Sequence, residues 1–383
     1  MQEDLTGDAV GSRNFQIIIP VFNEEMILAK VLTHAKDFDY IKNLVVVNDA
    51  STDTTSEILN YWEAKEPLLR VVHLKKNRKK EGAIKEVMEI LLSAGELRPY
   101  TVLLDADTYL QSCSDDEDVN QQIGTAISCL IDNEYTALAL RLNAVYLNKP
   151  SFFWMSAFTT YIGIQFDNWL LSKQNQLWVI NGAAGLFDSI ALLNVLRNMT
   201  FTFETGDLQI TVDLMKQKRP IAFYNRITAN SYVPSTLRSF FNQRRRWERG
   251  TTKVLWVDRS FYIGAFRPPS FLALALIIHL FLYISFIVTL FSGIVDGFMW
   301  NWSAEMLLLS YLIWFIVDLA KGSWVIYKEK YTVFWLYVVC AIVNGPVWLF
   351  VIVPARIVGG LEGIYHQAKG IWVDRKQSVI EQK

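Results

Sequence analysis

Little in this chain of 383 residues calls for a nucleic acid or an oxidising compartment. Its 37 basic residues are offset by 38 acidic ones, a formal net charge of -1, so no global field draws in a polyanion and no nucleic-acid partner is expected. Three cysteines, Cys113, Cys129 and Cys340, form neither a metal-binding spacing nor an even disulfide set, which fits a reducing compartment. The first residues, Met1-Gln2-Glu3-Asp4-Leu5, are acidic and lack an apolar core, so no cleavable export signal is expected and the first domain is expected in the cytosol. Internal repeats and low-complexity stretches are absent. What the chain has in quantity is apolar surface: 52% hydrophobic residues, with 13 Trp, 16 Tyr and 23 Phe. Residues 1–150 alternate apolar runs with polar segments, whereas residues 270–356 are mostly apolar.

The alternation has a period. Gln16-Ile17-Ile18-Ile19-Pro20 is a β-branched run, followed by a helix-like stretch from Asn23-Glu24-Glu25 to about Ala35. Leu44–Val47, Leu69–Leu74 and Thr101–Leu104 repeat the strand pattern, with helical segments through Trp62 and over Ala83–Ser93. Strands alternating with such helices predict an α/β fold with a parallel sheet. Ligands bind beyond the carboxyl ends of strands in such sheets, and the polar clusters of the first half stand there.

Beyond residue 150 the pattern changes. Ser151–Ser172 is rich in aromatics yet broken by Gly163, Gln165, Asp167 and Asn168; it reads either as an amphipathic helix on a membrane surface or as a buried helix. Phe271–Val295 is long enough to cross a bilayer. Met306–Tyr327 is interrupted by Asp318 and Lys321, and Tyr331–Val353 contains Asn344-Gly345-Pro346. Lys328, Lys330, Arg356, Lys369, Arg375 and Lys376 all suit the cytosolic side. Three full crossings cannot place both the first domain and the tail there, so one segment is expected to be interfacial or re-entrant.

Several side chains could carry chemistry. Asp105 and Asp107 flank one residue of extended chain and so point to the same side. Together they either supply two oxygen ligands to a divalent cation with room left for phosphate oxygens or form an acidic turn. Glu24 and Asp49 follow the first two strands, where they can accept hydrogen bonds from a nucleoside or cap a helix; capping is the better account of Asn48 and Asp53. In Lys75-Lys76-Asn77-Arg78-Lys79-Lys80 most residues read as solvated surface, and Lys80 is the one assigned to phosphates. In Glu204-Thr205-Gly206-Asp207 a carboxylate either takes a proton from an acceptor hydroxyl or caps the next helix. Gln243-Arg244-Arg245-Arg246-Trp247 joins planar cations, suited to a diphosphate, to an indole on which a sugar ring can stack. For Arg244 and Arg245 a basic, aromatic interfacial helix serves equally well.

Taken in order, these motifs resemble the inverting family 2 glycosyltransferases of the membrane-integrated branch, which includes cellulose, chitin, hyaluronan and poly-N-acetylglucosamine synthases. Ile19–Glu24 is similar to the family's opening strand, Val47–Asp53 to its Asp-Asp-Gly-Ser-x-Asp element and Lys80–Ala83 to its Lys-Ala segment. Asp105-Ala106-Asp107 matches its Asp-x-Asp, Gln243–Trp247 its Gln-x-x-Arg-Trp, and Trp372–Arg375 its Trp-x-x-Arg tail. The chain departs from the pattern at Asn48, at Ala50 and at Gly206, which stands where an acid usually precedes the base. The resemblance implies a GT-A (Rossmann-like) nucleotide-sugar-binding domain over residues 1–234 on the cytosolic side. It implies an interfacial helix over 235–265, a transmembrane region over 266–356 and a cytosolic tail over 357–383.

It further implies that Glu24 and Asp49 hold the nucleoside, Lys80 the phosphates, and Asp105 and Asp107 the nucleotide and an Mg²⁺ or Mn²⁺ ion. Asp207 would be the base, Gln243 and Arg246 would steady the departing diphosphate, and Trp247 would line the acceptor site. The expected protein is an integral membrane hexosyltransferase of the plasma membrane that extends a β-linked polysaccharide from a UDP-sugar. With few helices after its catalytic domain, it would form a secretion path only as an oligomer or with accessory subunits. The alternative is transfer of one sugar to a lipid such as a polyprenyl phosphate, ceramide or diacylglycerol. A third reading is a nucleotide-sugar-binding membrane protein without turnover, against which the intact Asp-x-Asp and Gln-x-x-Arg-Trp argue.

Overall fold

The computed structural model describes residues 15–113, 118–199, 205–265, 270–273, 277, 300–329, 333–347 and 351–380. The chain divides into two compact units, one of residues 1–145 with 175–232, the other of 146–174 with 233–383.

The first unit begins as the alternation predicts: β1 (Phe15–Val21), α1 (Leu28–Asp37), β2 (Leu44–Asn48), α2 (Thr55–Lys65), β3 (Arg70–His73), α3 (Lys79–Ser93) and β4 (Tyr100–Leu104). Then follow β5 (Thr108–Ser112), α4 (Val119–Asp132) and β6 (Ala137–Val145). After α5 (Phe152–Ser172), which belongs to the second unit, the chain returns with β7 (Ala184–Asp188), α6 (Ser189–Asn198), α7 (Gly206–Lys216) and β8 (Ile221–Tyr232). Among the described residues the strands form one eight-stranded sheet in the order β3-β2-β1-β4-β7-β6-β8-β5.

Strands β1 to β4 run parallel, with Ile18 opposite Val45 and Ile17 opposite Val102. Ile17, Ile18 and Ile19 are all fully buried, as both faces of a covered parallel sheet require. On one face Ile18, Val45, Val47 and Leu103 meet Ile84, Val87 and Leu91 of α3 and Leu192 and Leu196 of α6. From β4 outward the sheet is mixed: β7 is antiparallel to β4 and β6, β8 is parallel to β6, and β5 is antiparallel to β8. The expected parallel sheet is thus one half of a mixed sheet. Neighbours β1 and β4 send the chain to opposite sides, which makes their carboxyl ends a switch point for ligands.

Two boundaries differ from the sequence pattern. Helix α1 starts at Leu28, because Asn23 takes φ 57 and the Glu24 carbonyl accepts from the Ile27 and Leu28 N–H groups in a preceding turn. Helix α3 starts four residues before the predicted Ala83, at Lys79, and this turns Lys80 and Glu81 into first-turn helical residues.

The second unit contains α5, α8 (Leu237–Val257), α9 (Arg259–Ala265), α10 (Trp300–Lys328), α11 (Phe334–Val347) and α12 (Val353–Ile380). Helix α5 packs on α10 and α11 through Ile162, Val325, Ile326, Tyr337 and Ala341. Lys321 of α10 pairs with Asp167 of α5 at 2.7 Å, and the Tyr337 hydroxyl donates to the Asp318 carbonyl at 2.8 Å. The two charges that interrupt the second apolar segment thus sit at helix–helix contacts. Among the described residues no helix is long and apolar enough to cross a membrane. Most of the first expected crossing, Phe271–Val295, lies outside those residues. The second falls within α10, which carries Asp318 and Lys321, and the third has only the 14 residues of α11 before the description is interrupted.

Candidate active site

Where β1 and β2 end, two loops are stitched together. The Asn23 side chain accepts from the Thr52 N–H at 2.8 Å, its own N–H donates to Ser51 Oγ at 3.1 Å, and Glu25 accepts from Thr54 N–H and Oγ1. Asn48 shapes the second loop by accepting from the Ser51 N–H at 3.1 Å, a turn role rather than the expected helix cap. Asp53 accepts from the Thr55 N–H at 3.1 Å and the Glu25 N–H at 3.3 Å in the turn before α2, whose N-cap is Thr54, so it too braces the turn and is not the expected helix cap. Ala50 has φ 58 and closes that turn. Asp49 is 2% exposed, and its Oδ1 accepts from the Arg78 N–H at 2.6 Å. Burial pushes its carboxyl up, against the pull of the Arg78 and Lys79 backbone donors. Asp49 therefore ties the β2 loop to the start of α3. Glu24, in the β1 loop, donates its N–H to Thr55 Oγ1 at 2.9 Å.

At the end of β4 the Asp-x-Asp turn is fixed on its backbone. The Asp105 N–H donates to the Ala183 carbonyl at 3.2 Å, and the Asp107 carbonyl accepts from the Tyr232 N–H at 2.9 Å. The Asp107 carboxylate accepts from Thr108 Oγ1 at 3.0 Å. Burial pushes its carboxyl up to about 6, with Asp105 adding to the shift. Two neighbouring carboxylates, one of them desolvated, are what a cation relieves, so this pair fits a divalent ion. Among the described residues no third His, Cys, Asp or Glu joins them; an ion here would complete its shell with diphosphate oxygens and water.

Lys75 and Lys76 are exposed, Arg78 pairs with Glu86 at 2.7 Å, and Lys80 turns inward to an ion pair with Asp105. Lys80 Nζ also donates to the Gly182 carbonyl at 3.0 Å. Its burial opposes the charge, but the Asp105 and Asp207 carboxylates outweigh that and hold the ammonium well above its usual range. The Gly182 N–H in turn donates to Asp207 Oδ2 at 2.9 Å. Gly182 thus joins the lysine of α3 to the carboxylate that opens α7. That helix is fixed to the same segment through Thr211, which accepts from the Ile180 N–H at 2.8 Å and donates to the Asp207 carbonyl at 2.8 Å. A recess here is lined by Lys80, Glu81, Asn181, Gly182 and Asp207 over Ile84, Leu103, Ile180 and Ile210.

Lys80, Asp105 and Asp207, drawn from three distant places in the chain, are thus brought together. Glu204 lies outside the described residues. Glu81, Asn181 and Gly182 line the same recess and were not singled out from the sequence. The signal for the last two was the small-residue run Asn181-Gly182-Ala183-Ala184-Gly185, which leads into β7.

Gln243, Arg246 and Trp247 stand on α8, in the second unit. The three arginines have different surroundings. Arg245 and Arg249 share Glu362 of α12, each at 2.9 Å. Arg244 is 4% exposed and stacks on Phe240 at 4.8 Å and Trp247 at 4.3 Å; burial lowers its guanidinium to about 10. Arg246 is exposed. Arg245 therefore holds α8 to α12, Arg244 backs the Trp247 indole, and Arg246 keeps its guanidinium toward solvent. Trp372–Arg375 lies in α12, beyond the residues whose side chains are described.

Against known proteins, residues 16–113, from β1 through β5, match the family model for Glycosyl transferase family 2. Among individual proteins, a dolichyl-phosphate beta-glucosyltransferase of Dictyostelium discoideum is 31% identical over 102 residues, 24% of this chain and 30% of that protein. The chain thus spans under a third of the length of that curated relative. Among solved structures, the mannosyltransferase PcManGT of Pyrobaculum calidifontis with GDP-Man and Mn²⁺ has TM-score 0.49 and 17% identity over 87% of each chain. Residues 1–349 of TarS from S. aureus with UDP give TM-score 0.38 and 14% identity over 93% of this chain and 92% of that one.

Proposed function

We propose that the chain is a metal-dependent, inverting glycosyltransferase that moves a hexose from a nucleotide sugar to an acceptor hydroxyl or phosphate. The observation that carries this reading is the convergence of Lys80, paired with Asp105, and Asp207 on Gly182 at the carboxyl end of β4. In the proposed mechanism Glu24 and Asp49 bind the nucleoside at the stitched loops, and Lys80 takes the diphosphate. Asp105 and Asp107 hold the Mg²⁺ or Mn²⁺, which when bound offsets charge on the leaving diphosphate. For a hydroxyl acceptor, Asp207 takes the proton through Oδ1, which also accepts from the Leu208 N–H at 2.8 Å. Arg246 and Gln243 orient the departing diphosphate, and Trp247 offers a face for the acceptor sugar.

The acceptor is proposed to be a growing β-linked polysaccharide, supported by the Gln-x-x-Arg-Trp sequence, with the protein at the plasma membrane and its first unit in the cytosol. A lipid phosphate acceptor is the second reading, favoured by the match to the dolichyl-phosphate enzyme. Membranes containing the protein, incubated with radiolabelled UDP-glucose, UDP-N-acetylglucosamine and GDP-mannose, should yield labelled product that Asp107→Asn and Asp207→Asn abolish. Polymeric product supports the first acceptor and chloroform-soluble product the second. Undiminished transfer by either variant would overturn the assigned roles.

A further inference from the structure

The residue before Asp207 is a glycine, and its backbone gives no reason for that. Among the described residues Gly95 is the only glycine at positive φ, so Gly206 sits in a conformation open to any residue. The reason is space. A Cβ added at Gly206 would fall on the side-chain carboxyl of Glu81, nearest its Oε1 and Cδ. The Glu81 carboxyl therefore fills the volume that a side chain at 206 would take. Glu81 is 8% exposed and lines the same recess as Lys80 and Asp207. Burial pushes its carboxyl up, Lys80 pulls it down, and Asp207 and Asp105 raise it further.

A buried carboxyl this close to two others is costly unless it does something that a methyl group cannot. Its sequence position explains how it gets there. Because α3 begins at Lys79, Lys80 and Glu81 are successive residues of its first turn. Lys80 reaches Asp105, while Glu81 reaches the first residue of α7.

We infer that Glu81 is a positioning residue for Asp207, its carboxyl standing in for an acidic side chain at position 206. Packed against Gly206, it fixes the first turn of α7 from α3 while the Gly182 N–H fixes the Asp207 carboxylate. Its carboxyl adds to the negative charge that Asp105 and Asp207 set around Lys80. The inference rests on the reading of Asp207 as the base.

The test is an exchange of positions, read on the full-length protein with whichever of the three labelled donors it consumes, and by thermal unfolding, which needs no donor. Glu81→Ala should lower kcat by about 10-fold or more, with KM for the donor within about 2-fold, as loss of an interaction that matters mainly in the transition state requires. Glu81→Ala with Gly206→Asp, which returns a carboxyl to the vacated space, should recover turnover to within about 3-fold of the parent. Glu81→Ala with Gly206→Ala fills the space without charge and should stay as impaired as Glu81→Ala alone. On melting, Gly206→Ala should cost about 5 °C in the parent and nothing in the Glu81→Ala background.

The inference is overturned if the alanine pair recovers as well as the aspartate pair, or if Gly206→Ala costs the same in both backgrounds. Asp207→Asn separates the two levels. If it retains turnover, the assignment of the base fails; if it is inactive while Glu81→Ala is normal, only the role of Glu81 fails.

Discussion

Asp107 carries a conflict between folding and function that a metal would resolve. Its carboxyl is raised from 3.8 to about 6, chiefly by burial. A carboxyl shifted upward by folding favours the native state at low pH, and that contribution is lost as pH rises through about 6. Metal-free protein should therefore lose thermal stability between about pH 4 and 7, and Asp107→Asn should flatten the decline. Mn²⁺ should raise the melting temperature more at pH 7 than at pH 5, because it binds the ionised form. Parallel melting curves for parent and variant would remove Asp107 from this role. Gly182 offers a second check, since an added Cβ there would lie 2.7 Å from Lys80 Nζ and 3.0 Å from Asp207 Oδ2. Both are ends of side chains that can move, so Gly182→Ala should stay folded but lose on the order of 10-fold in kcat/KM, given how steeply catalysis depends on placement. Unchanged kinetics would show that the Gly182 link is incidental. At this scale the sequence displayed charged residues well and their partners poorly. Asp105, Lys80 and Asp207 were visible as chemistry-bearing types, whereas Gly182 and Glu81 matter for what they stand against, which no local pattern encodes.

Among the elements, legibility followed how local the cause was. Strands β1, β2 and β4 are short apolar runs buried on both faces, so composition alone marks them. Strands β5 to β8 take their directions from pairing across the sheet, and β8 lies between β6 and β5 with its register shifted at Leu140/Arg141. The approach of α8 to α12 was equally hidden, though its cause is simple. A Cβ at Gly359 would meet the Arg245 carbonyl oxygen, and one at Gly363 would stand 2.9 Å from Thr252 Cβ. Backbone cannot yield as a lysine tip can. Gly359→Ala should therefore lower stability by about 1–3 kcal/mol. At neighbouring Gly360 an added Cβ meets only Thr252 Oγ1, at 3.8 Å, so Gly360→Ala should be neutral or gain up to about 1 kcal/mol from helix propensity. Thermal or denaturant unfolding of the two variants checks both, and an equal response would mean that the close approach is not what holds the pair.

For the whole molecule, the proposed labour is shared between two units: donor and base groups on the first, Gln243, Arg246 and Trp247 on the second. Helix α5 lies in the chain between β6 and β7 of the first unit yet packs within the second, so the polypeptide passes between units more than once. The sheet of the first unit is therefore completed by β7 and β8 only after the chain has passed through α5. The proposed division of labour yields a kinetic signature. If Arg246 steadies the departing diphosphate, Arg246→Lys keeps the charge but loses the planar fork. It should lower kcat on the order of 100-fold, the usual cost of one misplaced donor at a developing charge, with KM for the donor little changed. Arg245→Lys should behave differently. Its guanidinium is committed to Glu362 at 2.9 Å, so the loss should appear as reduced thermal stability with kcat close to the parent value. Asp105→Asn should give a third pattern, a raised KM for the donor, because that carboxylate belongs to the donor half. If Arg246→Lys matches the parent in kcat while Arg245→Lys does not, the three arginines have been assigned to the wrong tasks and α8 presents a different side chain to the diphosphate.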